Sequence, residues 1–286
     1  MKYRFMARYG SGFEVTKMAE VLKVSRSGYY AYRERPRSAR ALEGEKLQTL
    51  IRLAWGKSRE LYGAPRITAE LRAQGLRCGK NRVARLMREA GIRSQSKKAF
   101  KVTTKAGGLV EAEDLVQRCF QADRPGQIWV SDITYIRTKE RWLYLAVVLD
   151  LYNRAVVGWS LGRRLGQDLV LTALNQALLR HPPEKGLVFH TDRGGQYRGH
   201  QMELLLSRHG IHLSLGHRGD CYDNAAMESF FSTLKSELVN RVEFETEPEA
   251  RRRIYDYIEV YYNRQRRHST LNYQAPAEYA SAETHS

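Results

Sequence analysis

The chain has 286 residues, of which 42% are hydrophobic and 28% charged, and its formal net charge is +17. A chain of this length can bury a sizeable core in one larger domain accompanied by one or two smaller ones. No apolar run approaches the ~20 residues of a membrane-spanning helix, and no signal-peptide pattern opens the sequence, which argues against a membrane or secreted protein. Three cysteines without CxxC spacing predict neither a disulfide framework nor a zinc site.

The positive charge is concentrated in the first part of the chain. Residues 1–110 contain 26 Lys and Arg against 8 Asp and Glu, whereas residues 111–286 contain 22 against 23. Such a density predicts a polyanionic partner, because basic side chains that neutralise phosphates release condensed counterions. Nucleic acid is the expected partner, and the alternative is a basic surface that only water solvates.

Two helix-turn-helix candidates come first along the chain. In the N-terminal segment 1–40, an apolar face over 15–22 predicts one helix, and Ser25 is placed to cap a second. Residues 33–40 are basic and contain proline, which indicates a linker.

The second candidate is a basic helix-turn-helix domain over 41–93, followed by a polar and then glycine-rich linker over 94–110. Its third helix is predicted over 80–90, directly after a glycine turn. Its outward basic residues are Lys80, Arg82, Arg85 and Arg88. A short basic helix after such a turn is typical of a major-groove reader. The alternative is a small helical bundle with a solvated basic face.

The region 111–286 begins with three strands in a meander and then alternates strands with helices. Strands are predicted over 127–137, 142–151, 155–161, 187–191 and 211–215, with helices over 167–180 and 200–209 and a further helix around residue 228. This order predicts an α/β domain with a mixed five-stranded sheet flanked by helices, which is the ribonuclease H-like arrangement.

Three carboxylates lie in or directly after these predicted strands and helices. Asp132 lies in the first strand, Asp192 directly follows the fourth, and Glu228 comes 36 positions after Asp192. Glu228 borders a helical stripe of apolar residues, which are Met227, Phe230, Phe231, Leu234 and Leu238. Two carboxylates on strands and one on a helix suit a hard divalent cation whose other positions are filled by phosphate oxygens and water.

Motifs within these elements carry a resemblance to a known family. The motifs are WVSDITY at 129–135, HTDRGGQY at 190–197 and DNAAME at 223–228, the last followed by Lys235. Together they resemble the DDE catalytic core of retroviral integrases and transposases. With the tail YNRQRRHSTL at 262–271 they resemble one group in particular, the IS-three family of bacterial insertion sequences. The segments VSRSGYY, YGAPRI and RVARLM at 24–30, 62–67 and 82–87 resemble that family's helix-turn-helix region.

The resemblance implies an enzyme that cuts DNA at the ends of an insertion sequence and joins the freed 3′-hydroxyl to a new phosphate. Asp132, Asp192 and Glu228 would hold two magnesium ions, for which manganese can substitute. The implied partners are double-stranded DNA, both element ends and target, and further copies of the chain assembled on it. A cytoplasmic, nucleoid-associated bacterial protein is expected.

The resemblance also implies a partner from the upstream reading frame of the element, either separate or fused by frameshifting. The chain resembles the downstream catalytic frame alone, since no heptad stretch is found in it. Two alternatives therefore stay open. One is a DNA-binding regulatory subunit of the fused transposase that is not catalytic alone, and the other is a plain ribonuclease H-like nuclease.

Several polar residues of the motifs each allow two interpretations. Lys235 either contacts DNA near the scissile end, as the family's basic residue does, or is a solvated lysine. Asp223 and Asn224 either position DNA or cap the helix of Glu228. Arg193 and Tyr197 either guide the DNA backbone or belong to a glycine-shaped turn.

Two histidine-containing positions are equally open. His190, which precedes the strand end, either supports a metal ligand or is a packed histidine. The basic cluster 263–268, with Arg267 and His268, either follows phosphates or closes the fold against the catalytic domain.

Overall fold

The N-terminal unit is a bundle of three short helices. In the computed structural model, which describes residues 1–34, 38–95, 122–183, 185–216 and 225–283, these helices are α1 (Lys2–Tyr9), α2 (Val15–Val21) and α3 (Arg26–Glu34). The helices α2 and α3 were expected, and the Ser25 hydroxyl accepts a hydrogen bond from the Gly28 amide at 3.0 Å, as a cap should. Helix α1 was not expected, but its Met6 is fully buried in the small core of this unit.

The helix-turn-helix unit that follows consists of α4 (Ala39–Lys57), α5 (Ala64–Ala73) and α6 (Lys80–Glu89). Its core includes the fully buried Ile51, Ile67 and Val83. The predicted linker over 33–40 is wrong at its end, because α4 begins at Ala39. The Ser38 hydroxyl accepts a hydrogen bond from the Ala41 amide at 3.2 Å and so starts the helix earlier than apolar periodicity alone indicated.

The five predicted strands form one mixed sheet, as expected. The strands are β1 (Ile128–Arg137), β2 (Trp142–Asp150), β3 (Val156–Gly162), β4 (Val188–Thr191) and β5 (His212–Leu215). Their order in the sheet is β3-β2-β1-β4-β5, with antiparallel pairing within the meander and parallel pairing of β1 with β4 and of β4 with β5. Since β1 is central, both of its edges are hydrogen-bonded, one to β2 and the other to β4.

Helices cover both faces of the sheet. One face packs against α7 (Gln167–Arg180) and α8 (His200–His209), whose bounds agree with the prediction. The approach of α7 to β3 is so close that a Cβ at Gly158 would lie 2.2 Å from the carbonyl oxygen of Ala173. The position therefore requires glycine.

The other face packs against α9 (Ala225–Leu234), which continues as a π-helical segment, Lys235–Val239. The predicted apolar stripe of α9 is buried on this face, together with residues of α10 (Glu247–Tyr255) and of a second π-helical segment, Asp256–Tyr262. The same core continues into the helix-turn-helix unit. Consequently the helix of Glu228 lies between the sheet and the C-terminal elements.

The chain ends with a tail that returns toward the helix-turn-helix unit. A short 3₁₀ turn, Ser269–Leu271, precedes α11 (Pro276–Glu283). Among the described ranges, none of the helices combines the length and apolar character needed to cross a membrane.

Candidate active site

The sheet brings two of the predicted acids side by side. In the parallel pair of β1 and β4, Ser131 is opposite Thr191, so Asp132 and Asp192 follow at the same level of adjacent strands. Adjacent strands are about 4.8 Å apart. Side chains alternate along a strand, and Val130 and Ile136 of β1 belong to the core that includes α9, so Asp132 is on that face too.

Glu228 and Lys235 approach Asp132 from this face. Helix α9 packs against β1, and Glu228, in its first turn, is exposed while Lys235 is partly buried. The pKa of Asp132 is raised to about 7, first by burial and then by the nearby carboxylates of Asp192 and Glu228. The Ile133 amide, which donates to Asp132 Oδ1 at 2.7 Å, and the Lys235 ammonium oppose this shift. The three predicted acids and Lys235 therefore share one electrostatic environment.

Asp192 is held by the turn that follows β4. Its Oδ1 accepts a hydrogen bond from the Gly194 amide at 3.0 Å. Although the residue is exposed on one side, surrounding protein removes enough water to raise the pKa of its carboxyl, and the Gly194 bond and the Arg198 guanidinium oppose that shift. Arg198 was missed by the sequence interpretation. The only signal for it is its place directly after the HTDRGGQY motif.

The carboxylate oxygens of Asp132, Asp192 and Glu228 are the kind of donor atom that a divalent metal ion prefers. Hard cations prefer carboxylate oxygens, and a cation would relieve the repulsion that raises the pKa of Asp132. Within the described ranges, however, no three His, Cys, Asp or Glu side chains converge closely enough to form a complete metal cluster. The segment directly before α9, which contains the predicted Asp223 and Asn224, lies outside the described residues.

Tyr197 and His190 are packed rather than presented to a ligand. Tyr197 is fully buried, and its hydroxyl lies 3.1 Å from Ser131 Oγ, directly beside Asp132 in sequence. The predicted contact of Tyr197 with DNA is therefore not supported, because its ring is enclosed in the core. His190 Nδ1 lies 2.8 Å from Ser214 Oγ in the neighbouring strand, which favours the packed interpretation. Arg193 donates from Nε to the Gly216 carbonyl at 2.8 Å, and its contact with DNA stays a prediction.

The predicted basic face of α6 is only partly available to a ligand. Lys80, Arg85 and Arg88 are exposed. Arg82 instead pairs with Glu43 at 2.8 Å, and its side chain is 27% exposed. The charge of Arg82 is thus already balanced by a carboxylate of α4.

Arg267 and His268 favour the closing role over the phosphate-following one. Arg267 donates from Nε to Glu70 at 2.6 Å and from Nη1 to the Tyr273 carbonyl at 2.8 Å, and its side chain is only 13% exposed. Burial, together with the neighbouring Arg266 and Arg66 guanidinium groups, lowers the pKa of His268 to about 3, so its ring is neutral. The predicted DNA contacts of both residues are therefore not supported by their positions.

Comparison with protein families agrees with this architecture. A family model described as "Integrase core domain" matches residues 122–221, a second of the same description matches 209–276, and one described as "HTH-like domain" matches 43–100. The fold and these matches define a DDE-type polynucleotidyl transferase, a class that depends on divalent metal ions.

Individual proteins show a similarity along nearly the whole chain. Transposase InsF for insertion sequence IS3A of Escherichia coli (strain K12) is 40% identical over 282 residues, 98% of each chain. The insertion element IS600 uncharacterized 31 kDa protein of Shigella sonnei is 40% identical over 261 residues, 91% of this chain and 96% of the other. Among solved structures, a chain of the simian T-cell lymphotropic virus intasome in complex with PP2A regulatory subunit B56 gamma is 14% identical, with a TM-score of 0.47, over 74% of this chain and 69% of that one.

The chain belongs to the IS3 family of insertion-sequence transposases, and it acts in DNA transposition.

Proposed function

We propose that Asp132, Asp192 and Glu228 are the catalytic acids of this transposase and that they bind two magnesium ions. The observation that carries this assignment is the environment of Asp132, whose pKa is raised to about 7 by burial and by the other two carboxylates. Carboxylates placed together around a desolvated Asp132 repel one another without a cation, so their placement supports a metal-binding role. When bound, the metal ions would activate the attacking oxygen and stabilise the leaving oxygen.

The same acids serve both cleavage and joining. In cleavage, water attacks phosphorus, the bond to the 3′-oxygen breaks, and a proton passes from the attacking oxygen to the leaving one. In joining, the freed 3′-hydroxyl replaces water as the attacking group at a target phosphate, the bond from that phosphorus to the target's 3′-oxygen breaks, and the proton passes to the leaving oxygen. Because both are in-line displacements of one oxygen by another, one arrangement of Asp132, Asp192 and Glu228 is sufficient.

Lys235 and Arg198 are proposed to orient the DNA and its carboxylate neighbours. Lys235 lies seven residues after Glu228 on the same helical stretch. It is close enough to Asp132 to lower the pKa of that acid. An ammonium in this place would attract the phosphate to be attacked and hold it near the acids. Arg198 acts on Asp192 in the same electrostatic sense, since its guanidinium favours the ionised carboxylate.

The helix-turn-helix unit is proposed to bind double-stranded DNA through α6. Lys80, Arg85 and Arg88 are exposed on this helix, which follows the glycine turn typical of a major-groove reader. Assembly of several chains on DNA, and pairing with an upstream-frame product, remain predictions from the family.

A strand-joining assay tests the proposed chemistry. The purified chain is incubated with a labelled, pre-cut duplex end and a supercoiled plasmid, with magnesium or with calcium. Labelled plasmid that forms only with magnesium is the expected result. Cut ends without joined product would instead identify a nuclease. DNA binding without either reaction would identify a regulatory subunit that requires the upstream-frame partner.

A further inference from the structure

A buried charge cluster lies just beyond the catalytic helix. Glu237, in the π-helical segment, accepts two hydrogen bonds from the Arg266 guanidinium, one from Nε and one from Nη2, each at 2.8 Å. The Tyr257 hydroxyl also donates to Glu237, at 2.9 Å. The side chains of Glu237 and Arg266 are 3% and 4% exposed. A bidentate pair of this kind sets orientation as well as distance, because the guanidinium and carboxylate planes must align.

The residues on either side of Arg266 are held by the helix-turn-helix unit. The Tyr62 hydroxyl donates to the Gln265 carbonyl at 3.2 Å and accepts from the Arg267 amide at 2.7 Å. Arg66 of α5 donates from Nε to the Arg267 carbonyl at 3.0 Å. Consecutive residues of the tail are thus directed to opposite partners, Arg267 to α5 and Arg266 to Glu237.

Arg66 also connects the two sides directly. Its Nη1 lies 3.9 Å from Glu237 Oε1, and its side chain is 27% exposed. Two arginines, one from the helix-turn-helix unit and one from the tail, therefore share a single buried carboxylate. Such an arrangement is unfavourable if either unit shifts, since a buried charge would lose its partner.

Glu237 lies on the same continuous helical stretch as Glu228 and Lys235. It is nine residues after Glu228, about 13 Å along the helix at 1.5 Å per residue, so it does not reach the acid set. The stretch changes from α to π geometry at Lys235. Single π-helical turns inside α-helices are rare overall and are frequent at functional sites. A contact made at Glu237 thus acts where the helix is least regular and next to Lys235.

We propose that Glu237 is a positioning residue that, with Arg266 and Arg66, ties the helix bearing Glu228 and Lys235 to the helix-turn-helix unit. DNA held by that unit then restrains the catalytic helix through Arg66 and the tail. The roles of Glu228 and Lys235 rest on the proposed function, but the mechanical link does not.

Amide hydrogen exchange tests the link without requiring catalysis. The full chain is compared with and without a short mixed-sequence DNA duplex at low ionic strength, at matched DNA occupancy for every variant. We expect DNA to slow exchange over residues 228–239 by about 5-fold or more, the lower end of usual coupling between sites. In Arg66→Ala this slowing should decrease, because the direct connection to Glu237 is lost while the tail still connects Glu237 to the helix-turn-helix unit through Arg266.

The matched control is Arg59→Ala. Arg59 also pairs across the two units, with Asp256 at 2.9 Å, and stacks on Tyr261, but it does not contact Glu237. This variant should keep the slowing. Exchange over 228–239 that DNA leaves unchanged in the wild type, or slows equally in Arg66→Ala, would overturn the proposal.

A paired variant separates positioning from simple stability. Glu237→Met combined with Arg266→Met removes both buried charges at similar volume, which is often tolerated by a fold. We expect this protein to bind the duplex as the wild type does while its strand-joining rate falls at least tenfold. A joining rate equal to that of the wild type would show that the pair only supports the fold. If the wild type itself joins no strands, the proposed chemistry fails, and the exchange experiment still decides the link.

Discussion

Asp132 and Glu237, two carboxylates close to the catalytic helix, have opposite surroundings. Asp132 is half-buried beside the carboxylates of Asp192 and Glu228, with the Ile133 amide and the Lys235 ammonium opposing them, and its pKa is raised to about 7. Glu237 contacts two arginines and a tyrosine, and Arg266 donates a hydrogen bond to each of its carboxylate oxygens. Burying a charge is costly unless it is paired. The fold therefore satisfies Glu237 by itself, whereas on the proposed function a divalent cation balances the charge of the Asp132 group.

The largest expected effect is on the rates of cleavage and joining, when one of the three acids is replaced. Asp132→Asn, Asp192→Asn and Glu228→Gln should each reduce cleavage and joining by about 10⁴-fold or more, since residues that act as one unit fail together. Binding to duplex DNA should persist because the helix-turn-helix unit is untouched. Joining assays and gel-shift titrations measure the two properties separately. An acid variant that still joins strands would remove that residue from the site.

Changes to the Glu237–Arg266 pair should mainly lower the free energy of unfolding. Glu237→Gln leaves the Arg266 guanidinium buried without its counter-charge, which typically costs about 3–5 kcal/mol. The double change Glu237→Met and Arg266→Met should cost much less, because the Arg266 charge is removed together with its counter-charge. Urea unfolding of the three proteins provides the comparison. Equal losses for the single and double changes would show that the charge balance is not what matters.

The stability of the fold should depend on pH through His268, which lies beside Arg266 and Arg66. The folded-state pKa of His268 is lowered to about 3 by burial and by Arg266 and Arg66, below its ordinary value of 6.5. Its contribution to stability is therefore fully present above pH 6.5 and is lost as the pH falls toward 3. From pH 7 to pH 5 the loss from this group should be about 2 kcal/mol.

His268→Gln should reduce that pH dependence, because glutamine offers a polar side chain that does not titrate. Unfolding curves in urea at pH 7 and pH 5, for wild type and variant, measure the difference. An unchanged difference between the two pH values would mean that His268 gains its proton without opposition in the folded state.

The smallest expected effects are on DNA affinity, and they extend the comparison to the arginines of α6. Arg88→Ala should reduce the slope of log affinity against log salt by about 1. Arg82→Ala should change it less, because Glu43 already balances that charge. Binding titrations at several salt concentrations give the slopes. A larger change for Arg82 than for Arg88 would show that DNA displaces Glu43.

Local pattern was sufficient to predict the sheet and the buried stripe of α9, and it also gives the three candidate acids. Alternation along β1 and the apolar run of β4 are properties of short segments, and the parallel pairing then places Asp132 beside Asp192. The start of α4 was predicted too late because its cap, Ser38, precedes the apolar periodicity. The motif leaves Tyr197 open between a DNA contact and a place in the turn, because a motif does not reveal that its ring is buried with the hydroxyl beside Ser131.

By itself the sequence determined the fold class, the family and the three candidate acids, since each of these depends on local periodicity or on a contiguous motif. Only the tertiary structure decided how the basic tail is used. Arg267 and Arg266 are adjacent in sequence and have the same chemistry, yet one pairs with Glu70 and the other with Glu237. Those partners are 197 and 29 residues away. Which charges are balanced depends on such distant contacts, and no local pattern contains them.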